Sequence, residues 1–166
     1  DALPIFHPDN MRASESIFSL GNGRFGQRGN FEETYSSDSL QGSYVAGITF
    51  LDRTRVGWWK NGYPRFFSRV PNAPDWSGIY LRLIDEELDL VHWDVEAYRR
   101  RLDMREGISY RDFRVTSPKG HTLEVHVEHI NSLANQNLCL IKYSVTSVNY
   151  EGKISLVPFL NGDVKH

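Results

Sequence analysis

Between His121 and Ile130 the chain alternates apolar and polar residues: Leu123, Val125 and Val127 fall on one side, Glu124, His126 and Glu128 on the other. A period of two belongs to a half-buried β-strand, because successive side chains leave a strand on opposite faces. Wound into a helix, the same residues would scatter their apolar set around the cylinder. The segment is preceded by Pro118, Lys119 and Gly120, a turn sequence in which proline presets one torsion and glycine accepts a positive one. Ile108–Ser117 therefore enters this turn as a second strand.

The same reading extends through the C-terminal half. Ile79–Ile84 and Leu88–Trp93 flank the acidic turn Asp85, Glu86 and Glu87 and predict a hairpin. Residues 97–103 follow as a short strand. Asn137–Val148 and Lys153–Leu160 are expected to pair with each other across residues 149–152. One short stretch, Glu128–Leu133, has the composition of a helix without the length. The expectation is an all-β fold with few short helices, an antiparallel meander within a β-sandwich. The first half is looser, and Asp52–Gly78 reads as a long excursion holding Trp58, Trp59, Tyr63, Phe66, Phe67 and Trp76. That is too aromatic for disorder, so the excursion must pack on something or serve as a contact surface.

Composition removes several classes of function. With 166 residues, 40% of them hydrophobic, the chain can bury a core as one domain spanning 1–166, or as part of a larger one. A net charge of -2 and a pI near 6.3 give no basic patch for nucleic acid. The most basic run, Arg99, Arg100 and Arg101, reads as a solvated face. No apolar run approaches the roughly 18 residues that span a bilayer, and no N-terminal segment has the pattern of a signal peptide. The single cysteine, Cys139, sits among leucines and reads as a buried, inert thiol. Cytoplasm is the expected compartment. A chain that begins at Asp1 and ends at His166 also reads as a piece cut from something longer.

Gly21 to Gly26 satisfies GxGxxG, but a dinucleotide fingerprint needs a helix after it, and Gly29 breaks any helix starting there. A tight turn between two strands, with Asn22 in a left-handed conformation, fits better. Glu32 and Glu33, if on a strand, point to opposite faces and cannot form the facing carboxylate pair of glycoside hydrolysis, so a solvated role is expected. His126 and His129 likewise diverge on a strand, which argues against a metal site. The stripe Glu124, His126 and Glu128 reads as a solvated edge. Trp58, Trp59, Lys60, Asn61 and Tyr63 are different. Sugars offer apolar CH faces that stack on aromatic rings and hydroxyls that seek amide and ammonium partners, and this stretch supplies both. The competing reading is that these aromatics plug the loop onto the sandwich or a neighbouring domain.

At this point the residues carry a resemblance. Glu15–Glu33 (ESIFSLGNGRFGQRGNFEE), then Tyr35–Gly42, Asp52–Pro64 and Leu102–Gly107, resemble the N-terminal domain of glycoside hydrolase family 65 over about residues 9–162. Asp52–Pro64 is similar to the branch that acts on maltose. The trehalose, kojibiose and nigerose branches share the first block. The resemblance implies a super-β-sandwich that packs, in a complete enzyme, against a catalytic barrel of paired helices. It implies a reaction in which inorganic phosphate attacks an α-linked glucose disaccharide with inversion, without metal or organic cofactor. Its general acid and phosphate ligands belong to the barrel, so no catalytic residue is expected in this chain. What it leaves to the domain is support of the barrel, a share in a homodimer, and a sugar contact through Trp58, Trp59, Lys60, Asn61 and Tyr63. An autonomous carbohydrate-binding sandwich and a pure scaffold stand beside that expectation, since sandwiches serve all three roles.

Overall fold

The computed structural model describes residues 10–55 and 62–164. One short helix, α1 (Met11–Ile17), precedes eleven strands: β1 (Leu20–Gly21), β2 (Phe25–Gln27), β3 (Ser43–Val45), β4 (Phe50–Arg53), β5 (Phe66–Arg69), β6 (Ile79–Arg82), β7 (Asp94–Asp103), β8 (Ile108–Thr116), β9 (Thr122–Asn131), β10 (Cys139–Ser147) and β11 (Ser155–Pro158). The fold is the expected all-β antiparallel sandwich. Its principal sheet has the order β10-β9-β8-β7, with every neighbour antiparallel. Smaller sheets pair β1-β2-β3, β4-β5 and β11-β6.

The alternation in β9 does what its period requires. Leu123, Val125 and Val127 are buried, and with Phe113 and Val115 of β8 they form one wall of the core. The facing wall comes from Leu81 of β6 and the chain after it, through Leu83, Leu88, Leu90 and Trp93. Met11 of α1 and Phe31 complete the cluster.

Strand β7 contains a bulge. Its register against β8 shifts between Glu96 and Arg99, and Ala97 takes a positive φ of 50°. One extra residue moves the inward face from odd to even positions, so Tyr98, Arg100 and Leu102 turn toward the interior. The arginine run is therefore not one solvated face: Arg100 is only 6% exposed, while Arg99 and Arg101 stay outside.

Two other expectations are corrected. Lys153–Leu160 does not pair with β10; β11 crosses to β6 with Ser155 opposite Arg82 and Pro158 opposite Ile79. The turn after β10 directs this crossing. Asn149 Oδ1 accepts from Thr122 N at 2.7 Å and its Nδ2 donates to Gly120 O, while Ile84 N donates to the Tyr150 hydroxyl at 3.2 Å. These bonds hold the chain against the edge of the sandwich and send it to the opposite sheet. The hairpin expected at 79–93 is short: it is closed by Leu83 N to Glu86 O and Leu88 N to Leu81 O, with Arg82 bridged antiparallel to Glu87, and beyond it Asp89 bridges to Thr34 while β6 pairs with β11. Residues 128–131 continue β9, with no helix there.

Candidate functional site

Glycine-rich residues 21–26 form the turn between β1 and β2, as expected, but the left-handed residue is Gly23 (φ 86°) and not Asn22. Asn22 is buried. Its Oδ1 accepts from Arg24 N and Phe25 N, and its Nδ2 donates to Ser132 O and Gln136 O, which pins the turn to the end of β9. A turn tied in this way offers no helix terminus to a phosphate.

Glu32 and Glu33 are not solvated. They lie in a bend and not on a strand, so alternation does not apply, and both carboxylates turn inward. Arg111 of β8 receives both: its Nη2 donates to Glu32 Oε2 and, at 2.6 Å, to Glu33 Oε2. Tyr143 of β10 donates to Glu33 Oε1 at 2.5 Å, and His129 Nδ1 lies 3.4 Å from Glu32 Oε1. The sheet register explains the convergence. Arg100, Arg111, Val127 and Tyr143 occupy one inward row across β7 to β10, and Ser109 and His129 face each other in the next.

The shared guanidinium pulls the two acids apart. Burial alone pushes Glu32 up, but the charge of Arg111, helped by His129 and Arg100, outweighs it and holds this carboxyl at about 2. For Glu33 burial wins over Arg111, and the neighbouring Glu32 charge adds to the rise. Burial would lower Arg111, yet the two carboxylates drive it above its ordinary range. Paired carboxylates of unequal acidity resemble a catalytic dyad. These two are locked on one arginine inside the core, where substrate has no approach, and their role is structural.

On the opposite face, His126 sits half-exposed between Asp112, 2.5 Å from Nδ1, and Glu128, 3.1 Å from Nε2, with Lys142 donating to Glu128 at 2.8 Å. The hydrogen bond to Asp112, then that to Glu128, raises the imidazole pKa. This is the solvated ladder expected for an outward stripe. Among the described residues no group of three or more His, Cys, Asp or Glu side chains is arranged to hold a metal ion. No helix among them is long and apolar enough to cross a membrane.

Of the loop residues expected to contact sugar, Trp58, Trp59, Lys60 and Asn61 lie outside the described residues. Tyr63 is described and is 55% exposed. The loop springs from the β4-β5 ribbon and is closed at its base by Thr54 N to Arg65 O at 3.0 Å and Thr54 Oγ1 to Pro64 O at 2.5 Å. Beside that base lies an open concavity of about 630 Å³ lined by Arg53, Arg55, Tyr63, Phe67 and Arg69, with Asp52 paired to Arg69 at 3.0 Å. Exposed rings beside guanidinium donors suit a polyhydroxylated or anionic ligand. Asp52, already paired, is the single carboxylate among the described residues lining it.

The ribbon itself has no apolar face turned safely inward. Phe50 and Phe67 lie on one side, Leu51 and Phe66 on the other, and all four are exposed. An isolated two-stranded ribbon is marginal in water, and apolar side chains on both faces mark a contact surface.

An all-β domain with Glu32 and Glu33 paired to Arg111 in its core and an aromatic β4-β5 ribbon exposed on both faces is the class defined by this geometry. The model of the glycosyl hydrolase family 65, N-terminal domain, matches residues 4–166, and the chain belongs to that family. It is 45% identical to maltose phosphorylase of Bacillus subtilis over 159 residues, covering 96% of this chain and 21% of that protein. Identity to α,α-trehalose phosphorylase of Thermoanaerobacter brockii is 34%, over 97% of this chain and 21% of the other. For kojibiose phosphorylase of Halothermothrix orenii it is 33%, over 96% and 19%. A solved structure assigned as a kojibiose phosphorylase from human microbiome superposes with a TM-score of 0.78 at 30% identity, covering 88% of this chain and 19% of that one. The chain thus spans about one fifth of the length of the relatives it matches.

Proposed function

We propose that this domain is the non-catalytic N-terminal support of an inverting phosphorylase that converts maltose and inorganic phosphate to glucose and β-glucose 1-phosphate. The observation that carries the maltose reading is the 45% identity to a maltose phosphorylase, against 34% and 33% for the trehalose and kojibiose enzymes. The domain packs against a catalytic barrel contributed by the rest of the protein and takes part in a homodimer. The β4-β5 ribbon favours that role, because rings exposed on both of its faces need a surface to cover them. In this reading the general acid belongs to the barrel, phosphate serves as nucleophile, and no metal or organic cofactor takes part. Trp58, Trp59, Lys60, Asn61 and Tyr63 reach toward the bound disaccharide.

The test is phosphate-dependent release of glucose 1-phosphate by the full-length product of the gene, with maltose, trehalose, kojibiose and nigerose offered separately. Turnover of maltose above the other three is the expected outcome. Preference for another disaccharide would move the protein to that branch, and phosphate-independent release of glucose would make the parent a hydrolase.

A further inference from the structure

Beside the Glu32–Arg111 pair lies a small cavity lined by Gln27 of β2, Arg28, Glu32, Arg100 of β7, Ser109 and Arg111 of β8, and His129 of β9, with apolar neighbours. It leaves about 10 Å³ for the centre of a water-sized sphere, about the room one water molecule needs. Four of its side chains carry buried polar atoms with no partner in the protein: Gln27 Oε1, Arg100 Nε and Nη1, Arg111 Nη1, and His129 Nε2. A buried polar group left unbonded costs stability, because it has given up its water without a replacement. Several around one small space point to something that satisfies them together.

We propose that this cavity is a hydration site holding a single ordered water molecule bonded to Gln27, Arg100, Arg111 and His129. The donor and acceptor count selects water. Arg100 and Arg111 can only donate. His129 turns Nδ1 toward Glu32 Oε1 at 3.4 Å, so Nε2 is the ring nitrogen left for the cavity, and water can meet it as donor or acceptor. Gln27 Oε1 can only accept. Two guanidinium donors facing an amide oxygen match a molecule that both accepts and donates. A halide would satisfy the guanidinium groups but would face the lone pairs of Gln27 with negative charge. The water also lies beside two like charges paired directly across the sheet, Arg100 opposite Arg111, so its dipole eases their repulsion. It ties β2 to β7, β8 and β9 where no direct side-chain bond among these four residues does so.

The test is a crystal structure of the full-length protein at a resolution that orders solvent, with a second crystal soaked in bromide. The expected result is one density peak within about 3.2 Å of atoms from all four residues, without anomalous signal after the soak. In Gln27→Met, which keeps the length but removes the acceptor, the peak weakens or vanishes and the thermal midpoint falls by a few degrees. Closure of the side chains on one another, a bromide signal in the cavity, or a peak unchanged in Gln27→Met would each overturn the assignment.

Discussion

The hydroxyl of Tyr143 donates to Glu33 at 2.5 Å, joining residues 110 positions apart in the chain. Burial, with the charge of Glu33 second, holds the phenol well above its ordinary range, so it remains a donor across the working pH. Tyr143→Phe keeps the ring and removes the bond. A loss of about 1–3 kcal/mol in urea unfolding is expected. A change below about 0.5 kcal/mol, within the spread of ordinary surface substitutions, would mean that the bond contributes little.

Arg111 holds two buried carboxylates, and its removal strands both. Arg111→Met fills the space without supplying a charge. Breaking a buried ion pair from one side costs about 3–5 kcal/mol, and urea unfolding of this variant should show a loss of that size or failure to fold. Adding Glu32→Gln and Glu33→Gln should recover part of the loss, since the uncompensated charges are then gone.

Acid should unfold the domain partly through Glu32. Its folded pKa of about 2 lies below the ordinary 4.5. The stability it contributes is therefore present above about 4.5 and is lost as pH falls from there through 2. Glu33 works in the opposite sense: its folded value is raised, so its ionisation weakens the fold as pH climbs through that value. Urea unfolding across a pH series should show a shallower acid limb in Glu32→Gln than in the native protein. Equal limbs would assign the acid sensitivity to other carboxylates.

Gly78 has no room for a side chain. A Cβ placed there would run into the ring of Phe159, which stacks on Tyr80 at 4.2 Å between centroids. Gly78→Ala should cost about 1–3 kcal/mol by overpacking. Gly78→Ala with Phe159→Leu should regain part of it in the same melt, and a failure to do so would place the strain in the backbone.

On the proposed function, replacing Trp59 and Lys60 with alanine in the full-length protein should raise KM for maltose. An unchanged KM with a weaker dimer, measured by sedimentation, would make the loop an assembly contact.

The sequence made the sheet legible where neighbours in sequence are neighbours in space. β8 and β9 are half-buried and flanked by short turns, so period and turn chemistry agree. β11 was misplaced because its partner is chosen by a turn tied down through Asn149 and Tyr150, contacts that no local pattern encodes. α1 leaves little trace in the sequence, being seven residues long with no side-chain cap from Asn10; its one signal is Met11 and Glu15, both buried at a spacing of four. Glu15 accepts from Leu40 N at 3.0 Å and Ser39 Oγ at 2.5 Å, bonds invisible before the fold brings residues 39 and 40 back to the helix. Glu32 and Glu33 were misjudged because strand alternation was applied to a bend. Arg100 was misjudged because one bulge residue reverses the faces of β7.

The pairing of β6 with β11 has a consequence for how the protein is made. Leu81, among the most buried side chains of the core, lies on a strand whose partner begins only at Ser155. During synthesis β6 leaves the ribosome on the order of several seconds before that partner does, at the usual pace of about 5–20 residues per second. Through that interval the nascent chain carries an open strand edge beside apolar side chains. The four-stranded sheet can assemble from near neighbours in the meantime, and closure of the sandwich waits for the last strand.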